Sequence, residues 1–298
     1  MVDGNKTFTA SAVDGFNISL SLTLEASMRV NLFVEYNDKI KDKVQGFAVD
    51  GVAMEHIITT LPNGNTYYKV VLPSVLPTEA AKNHEFTVEI LDDNGNTAAV
   101  RIYFSVIDYC DKILTNGTRF SKEACGLMAN ILNYIKSAYE YADLTDSIEY
   151  ENVNTILLKH VNKITYSDVK KNEAPNLSGV KDALKSVQIL LSDAPRYRFD
   201  LVSGYTGQVV LKYNAYGKEV TRTYEITDGK YNDRAYIELE LKAHDIRNDV
   251  TITTAGGEGV YNLNAYYNAT KGSDATALLN ALYAYSEMAA AYKESLAN

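Results

Sequence analysis

The first third of the chain alternates apolar and polar residues with a period of two. Residues 7 to 104 carry this pattern, most clearly at Phe16–Leu24 and in part at Val30–Tyr36, and it predicts short β-strands. Dipeptides that accept positive φ at low cost separate the strands and predict tight antiparallel hairpins; they are Asp50-Gly51, Asn63-Gly64 and Asn94-Gly95. Strands and turns at this spacing predict a β-sandwich.

The spacing changes to three and four residues from Tyr103 onward, which predicts amphipathic helices. The longer helix is outlined by Leu127, Met128, Ile131, Tyr134, Ala138 and Tyr141, and Ser121 is its predicted N-cap. A polar segment from Thr145 to Ser178 then predicts a connector with short helical turns. Strand-like patterns return between Ala183 and Val260, and a last helix is predicted from Ala275 to about Leu296.

The two halves repeat each other. Adding 151 to each position of the longer helix gives Leu278, Leu279, Leu282, Tyr285, Ala289 and Tyr292. Upstream, three further pairs of segments match in the same order: Tyr103–Tyr109 with Val260–Tyr266, Phe33–Asn37 with Val210–Asn214, and Ala48–Gly51 with Ile226–Gly229. A repeat of this length indicates a duplicated module.

The predicted fold is therefore mostly β with appended helices. It consists of two immunoglobulin-like antiparallel β-sandwiches, each followed by a docked helix or helical pair rich in Tyr and Leu. The predicted boundaries are residues 1–144 for the first module, 145–178 for the connector and 179–298 for the second module. The repeated Tyr109/Tyr266 and Tyr134/Tyr285 pairs are either ligand platforms or rings packed between helix and sheet, and the second interpretation suits tyrosine's apolar ring and polar tip.

Composition narrows the function classes. The 298 residues carry a net charge of −9, which disfavours nucleic acid and anionic membranes as partners. No apolar stretch approaches the roughly 18 residues of a membrane span, and the start has no signal-peptide pattern. The two cysteines, Cys110 and Cys125, are either buried thiols or one bridge, and two thiols are the favoured interpretation.

Sequence motifs give no support for catalysis. The histidines are scattered (His56, His84, His160 and His244), and none belongs to a zinc or nucleophile motif. Asp92–Asn96 offers oxygens for calcium, but Tyr103 stands where such a loop needs an acidic twelfth residue, so a hairpin turn is the better interpretation. We expect no enzyme activity, catalytic residue, metal or cofactor.

Three motifs together resemble a repeated module of large surface and secreted proteins of gut Firmicutes, particularly Lachnospiraceae. They are Phe104–Tyr109, Ile131–Tyr134 and Leu279–Ala290, and Ile135–Ala138 departs from the family's Gly-Ala-Ala-Gln-like stretch. The resemblance covers most of the chain and implies an extracellular, secreted or cell-wall-attached location beside carbohydrate-active or adhesive domains. Some such surface proteins bind immunoglobulin variable domains as superantigens do.

The expected function is therefore a non-catalytic binding or adhesion segment, monomeric within a longer multidomain chain. Its expected partner is a host protein such as an immunoglobulin or glycoprotein. The alternatives are a carbohydrate-binding accessory to a polysaccharide-degrading enzyme and a structural spacer. The chain has 23 tyrosines, and tyrosine is an effective contact residue. Those near turns are the candidate ligand-binding residues: Tyr67, Tyr68, Tyr205, Tyr216 and Tyr231.

Overall fold

The chain is mostly β, with four sheets and five α-helices in the residues that the structure describes. This computed structural model describes residues 6–8, 14–24, 28–92, 94–164, 176–191, 194–215, 217–270 and 272–296. The strands are β1 (Lys6–Phe8), β2 (Ile18–Leu24), β3 (Met28–Glu35), β4 (Val44–Val49), β5 (Val52–Ala53), β6 (Ile57–Thr60), β7 (Thr66–Val71), β8 (His84–Leu91), β9 (Thr97–Phe104), β10 (Leu184–Leu191), β11 (Pro195–Leu201), β12 (Gly207–Ala215), β13 (Lys218–Ile226), β14 (Tyr236–Glu240), β15 (Val250–Thr254) and β16 (Gly257–Tyr261). The helices are α1 (Val106–Thr115), α2 (Lys122–Tyr141), α3 (Ile148–Lys159), α4 (Leu263–Thr270) and α5 (Thr276–Ser295).

The described residues form two compact units. The first comprises residues up to Thr23, from Met28 to Val75 and from Glu79 to Lys112. The second contains Ile113 and the described residues after it, together with two short pieces, at residue 24 and at Leu76–Thr78. The predicted modules 1–144, 145–178 and 179–298 remain a prediction, but the observed grouping places α2 with the residues that follow it.

The first unit has two sheets with strand orders β2-β3-β7-β6 and β1-β9-β8-β4-β5. β1 runs parallel to β9, and β9, β8, β4 and β5 pair antiparallel. Aromatic rings join the two sheets, because Phe47 of β4 lies 5.5 Å from Tyr68 of β7 and also stacks on Phe86 of β8. The strands alternate as their period-two pattern requires, with Phe86, Val88 and Ile90 of β8 facing the core.

The second unit also contains two sheets, with strand orders β10-β11-β14 and β13-β12-β15-β16. Tyr197 of β11 is fully buried and meets Tyr261 of β16 edge to face at 5.7 Å. Both hydroxyls have partners, since Tyr197 Oη donates to Ile246 O at 2.7 Å and Tyr261 Oη to Val187 O at 3.3 Å. Burial raises the pKa of Tyr197 well above its ordinary value. These rings therefore act as neutral core residues that tie the two sheets together.

The three predicted turns are hairpins. Asp50 and Gly51 take positive φ between β4 and β5. After β6, Leu61 N–H donates to Asn65 O and Gly64 N–H to Leu61 O, and the loop after β8 repeats this pattern with Asp92, Gly95 and Asn96. This is a three-residue hairpin loop that requires a left-handed residue, and Gly64 supplies it with φ 83°. The local turn chemistry thus confirms the antiparallel prediction.

The long helices α2 and α5 pack against each other in the second unit. Gly126 lets them approach closely, because a Cβ there would lie 3.3 Å from the Met288 sulfur. Tyr134 and Tyr285, which occupy equivalent repeat positions, stack on each other at 5.6 Å. Equivalent residues that contact one another indicate a local two-fold relation between the helices. The prediction of rings packed between helix and sheet did not include this partner.

One strand match between the two halves is wrong. Phe33–Asn37 was matched with Val210–Asn214, yet β3 pairs with β7 whereas β12 pairs with β13 and β15. β3 lies between β2 and β7, whereas β12 lies between β13 and β15, so the two strands have non-equivalent neighbours in chain order. Short alternating segments resemble one another wherever they lie in a sheet, which explains the false match. The match of Tyr103–Tyr109 with Val260–Tyr266 agrees with the structure. Each segment covers the end of the last strand of its half (β9 or β16) and the start of the helix that follows.

Candidate functional site

The strand β6 forms an open edge of the first unit. It is the terminal strand in the order β2-β3-β7-β6, so in the part of the chain that the structure describes it pairs on one side. Its sequence, Ile57-Ile58-Thr59-Thr60, is β-branched throughout, which favours strand structure. Natural edge strands are commonly protected by charges, proline or bulges. None of these occurs within β6.

Among the described residues, no strand pairs with the outer side of β6, so some of its backbone hydrogen-bonding groups are open at this edge. Leu61 N–H donates to Asn65 O, which fixes the alternation of the hairpin. Residues of an antiparallel pair alternately direct their N–H and C=O groups toward and away from the partner strand. Ile58 and Thr60 therefore direct theirs away from β7. They form a short row of donors and acceptors suited to another extended chain.

Each face beside this row carries one exposed isoleucine. Ile57 is 58% exposed and Ile58 is 56% exposed. Ile57 lies opposite Lys69, whose ammonium is 5.8 Å from the centre of the Phe33 ring. Tyr67 lies opposite Thr59 and meets Phe33 edge to face at 5.9 Å. We call Ile57–Thr60 together with Tyr67 and Lys69 the β6 edge.

Tyr67 and Tyr68 differ because neighbouring strand residues point to opposite faces. Tyr67 is partly exposed, and its hydroxyl accepts a hydrogen bond from Asn65 Nδ2 at 3.4 Å. Tyr68 is buried, and its hydroxyl donates to Lys41 O at 2.7 Å. Burial raises the pKa of Tyr68. Of these two predicted ligand-binding residues, only Tyr67 offers its ring at the surface, and Tyr68 is corrected to a core residue.

The candidates in the second unit lie in loops. Gly229 N–H donates to Tyr205 O at 2.8 Å, so the loops that carry Tyr205 and Tyr231 meet. Tyr205 is partly exposed, and its hydroxyl donates to Gln208 O at 2.9 Å. Tyr231 is also partly exposed and packs edge to face on Tyr224 at 5.0 Å. Tyr216 lies outside the described residues. The binding roles of Tyr205, Tyr216 and Tyr231 stay predictions.

The histidines lie apart and contact different elements. His56 packs against Phe47 and Tyr68 in the first unit. His160 is buried at the end of α3. His244 Nε2 lies 2.9 Å from Lys293 Nζ and 3.2 Å from Asp245 Oδ2, which links a loop of the second unit to α5.

The fourth histidine, His84, belongs to a polar cluster at the Asp50-Gly51 turn. Its Nδ1 lies 2.7 Å from one carboxylate oxygen of Asp50, while Glu85 N–H donates to the other at 2.9 Å. Partial burial works to raise the pKa of Asp50, but the hydrogen bonds from His84 and Glu85 outweigh it and hold the pKa below its ordinary value. The cluster fixes the turn that leads into β5.

Asp92 organises the hairpin turn after β8. One of its carboxylate oxygens accepts hydrogen bonds from the backbone N–H groups of Asn94 and Asn96, at 2.8 and 2.9 Å. This Asx-type turn confirms the hairpin interpretation; residue 93 lies outside the described residues. Where the chain is described, no group of three His, Cys, Asp or Glu side chains could hold a metal ion.

Cys110 and Cys125 are both buried thiols, as the favoured interpretation predicts. Burial strongly raises the pKa of the Cys110 thiol, which keeps it protonated and unreactive at neutral pH. Cys125 Sγ lies 3.9 Å from Gly117 O.

Sequence reasoning did not find the β6 edge. The sequence analysis assigned no role to Ile57 and Ile58, because an apolar β-branched run is equally typical of a buried strand. The available signal was the position of this run beside the Asn63-Gly64 hairpin, which identifies it as one arm of a ribbon. Whether that arm is central or terminal depends on long-range pairing.

Comparisons with known proteins do not assign the chain to a family. No protein-family model matches it, and no curated protein sequence matches it. Within the described part of the chain, no helix has the length and apolar character needed to cross a membrane.

Proposed function

We propose that this chain is a non-catalytic binding segment of an extracellular bacterial surface protein, and that it recognises a host protein by pairing the β6 edge with an extended strand of that protein. The observation that carries the proposal is the uncharged edge at Ile57–Thr60, with open backbone groups and two exposed isoleucines. Strand addition obtains affinity from main-chain hydrogen bonds and selectivity from the flanking side chains.

The strand orders support an immunoglobulin-like fold for both sheet pairs. Immunoglobulin constant domains place strands A, B, E and D in one sheet and C, F and G in the other. When β2–β9 are lettered A, B, C, C′, D, E, F and G, the first unit has the orders A-B-E-D and G-F-C-C′. The same lettering of β10–β16, without D, gives A-B-E and C′-C-F-G. The proposed fold thus agrees with the immunoglobulin-like sandwiches that the strand and turn patterns of the sequence predict.

Immunoglobulins and many glycoproteins suit this edge because their β-domains have edge strands of their own. Complete burial of an isoleucine contributes about 1.5–3 kcal/mol. Ile57 and Ile58 each start more than half exposed, so the two together supply a gain of a few kcal/mol. Tyr67 and Lys69 beside them add a ring and a cation for selectivity. The surface location and the place within a longer chain rest on the resemblance.

The test measures binding of the full chain to immobilised pooled human immunoglobulin G, its Fab fragments and a panel of serum glycoproteins. Ile58→Pro removes an outward N–H and leaves the ladder to β7 intact. Ile57→Glu places a carboxylate opposite Lys69, which protects the edge at little cost to folding. We expect each variant to weaken binding at least about tenfold, equivalent to about 1.4 kcal/mol.

The matched control is Ile148→Glu, which removes another exposed isoleucine at the start of α3. It should bind as the unchanged chain does. Equal binding by all three variants, or no binding to any of these proteins by the unchanged chain, would contradict the proposal. Circular dichroism and urea unfolding verify that each variant is folded.

A polar hollow in the second unit favours the carbohydrate alternative. It has a volume of about 350 Å³ and is lined by Lys212, Tyr213, Asn214, Glu219, Asp249, Thr251 and Glu258. Its acids and amide could bind sugar hydroxyls, but the ring that would stack on a sugar, Tyr213, is buried. Signal on a glycan array without binding to any host protein would support this alternative, and silence in both assays would support a spacer.

A further inference from the structure

A cavity of about 850 Å³ lies in the second unit, beside the first turn of α2. Its volume is within the range of about 300–1,000 Å³ that is usual for small-molecule sites. Phe120 and Lys122 on its wall are exposed, whereas Cys125 and Gly126 are buried. The cavity therefore extends from the surface to the α2–α5 helix pair.

The cavity is shaped by a glycine and a lysine. Lys163 Nζ donates to Leu114 O at 2.5 Å, so the ammonium compensates the last turn of α1. A Cβ at Gly117 would lie 3.1 Å from Lys163 Nζ and 3.4 Å from Cys125 Sγ. A Cβ at this position would take up part of this space, and the ammonium and the thiol flank the same backbone segment.

The walls combine apolar surface with a positive end. The apolar lining comes from Leu114, Phe120, Ile164, Met288 and Ala291. The charged residues of the lining are two cations, Lys122 and Lys163, and one acid, Glu123. The first turn of α2 adds backbone N–H groups and the positive end of the helix dipole. This local excess of positive charge occurs in a chain of net charge −9.

We propose that the cavity binds a single-chain aliphatic carboxylate, such as a fatty acid. The carboxylate lies between Lys122 and Lys163, where charge-assisted hydrogen bonds are strongest. The hydrocarbon chain covers the side chains of Phe120, Leu114 and Met288, and this contact removes apolar surface from water. This site is independent of the β6 edge and of the proposed host-protein binding, because it uses other residues and another kind of ligand.

The absence of tryptophan provides a direct readout. The chain has no Trp, so Phe120→Trp introduces the only indole, on the cavity wall. Titration of the full-length variant with laurate, below its micelle concentration, should give a saturable shift of emission. Stearate carrying bromine on its chain should quench the indole through contact. Leu158→Trp is the control, since Leu158 is an exposed α3 residue outside the cavity lining; it should show no saturable response.

Charge variants in the Phe120→Trp background test the position of the carboxylate. Lys122→Gln and Lys163→Gln should each raise the laurate Kd about tenfold, because each removes a charge-assisted hydrogen bond. Lys159→Gln, on exposed α3 surface, should leave the Kd unchanged. If Lys163→Gln does not fold, because Leu114 O loses its partner, Lys122→Gln decides. Dodecylamine should bind at least tenfold more weakly than laurate.

Three results would overturn the proposal. They are the lack of a saturable response in Phe120→Trp, equal quenching of Leu158→Trp, and equal affinity for dodecylamine and laurate. Loss of binding to immunoglobulin or glycoproteins has no bearing on this outcome, so failure of one proposal is distinguishable from failure of the other.

Discussion

The two units end their sheets in opposite ways. β6, at one edge in the first unit, has four residues, all uncharged, and two exposed isoleucines. β13, at one edge in the second unit, has nine residues and carries Lys218, Glu219, Arg222 and Glu225. Charges on an edge discourage pairing with other chains. This chain thus contains one edge strand that is protected by charges and one that is not. An unprotected edge is therefore not a general property of the sheets in this protein.

Separating the units should give the largest effect. A chain of residues 1–116, which ends after α1, should retain the immunoglobulin or glycoprotein binding of the full chain, because it contains the β6 edge. Residues 117–298 should retain none. Binding is measured by surface plasmon resonance, with circular dichroism as the folding control. Full binding by residues 117–298 would show that the β6 edge is not the binding surface.

Converting the protected edge should give a moderate effect. Glu219→Ile, Thr221→Ile and Thr223→Ile together replace three exposed positions of β13 with β-branched apolar residues. We expect self-association to strengthen roughly tenfold, because the edge then resembles β6. Sedimentation velocity at several concentrations measures it. Glu219→Gln, Thr221→Ser and Thr223→Ser change the same positions without adding apolar surface and should stay as the unchanged chain.

The smallest effect concerns the Asp50-Gly51 turn that leads into β5. The pKa of Asp50 is lowered in the folded chain, so its stabilising contribution is complete above its ordinary pKa and is lost as pH falls through the lowered value. In the Asp50→Asn variant, the free energy of unfolding should decrease less than in the unchanged chain as the pH falls from about 5 to about 2. Solvent screening of this partly exposed carboxylate limits the difference to less than about 1 kcal/mol.

Urea unfolding across that pH interval measures the effect of Asp50→Asn. Asp228→Asn is the control, because Asp228-Gly229 is another Asp-Gly turn with positive φ, in the second unit. An equal change in the pH dependence of both variants would assign the effect to the turn type rather than to the His84 contact.

Local chemistry could be predicted from the sequence more reliably than pairing. The Asn63-Gly64 turn followed from the low cost of positive φ, and Ser121 does cap α2 by accepting a hydrogen bond from Ala124 N–H. The apolar face of α2 was also recognised. Its partner was not, because an amphipathic pattern shows that a face is buried but not which surface covers it.

The candidate site shows the same limit. The alternation within β7 already assigns Tyr67 and Tyr68 to opposite faces, so the sequence contained the reason why only one is available. The exposure of Ile58 depends on β6 being terminal, which is decided by strands far away in the chain. No local pattern encodes that position.

The Tyr134–Tyr285 stack can form only after both of its residues have been translated. The second ring is made 151 residues after the first, and at about 5–20 residues per second this separation corresponds to roughly 8 to 30 s. During that interval the face of α2 that later meets α5 has no partner. The nascent chain therefore exposes the apolar face of α2 while strands β10–β16 are being translated. We expect chaperones to bind this face during that interval.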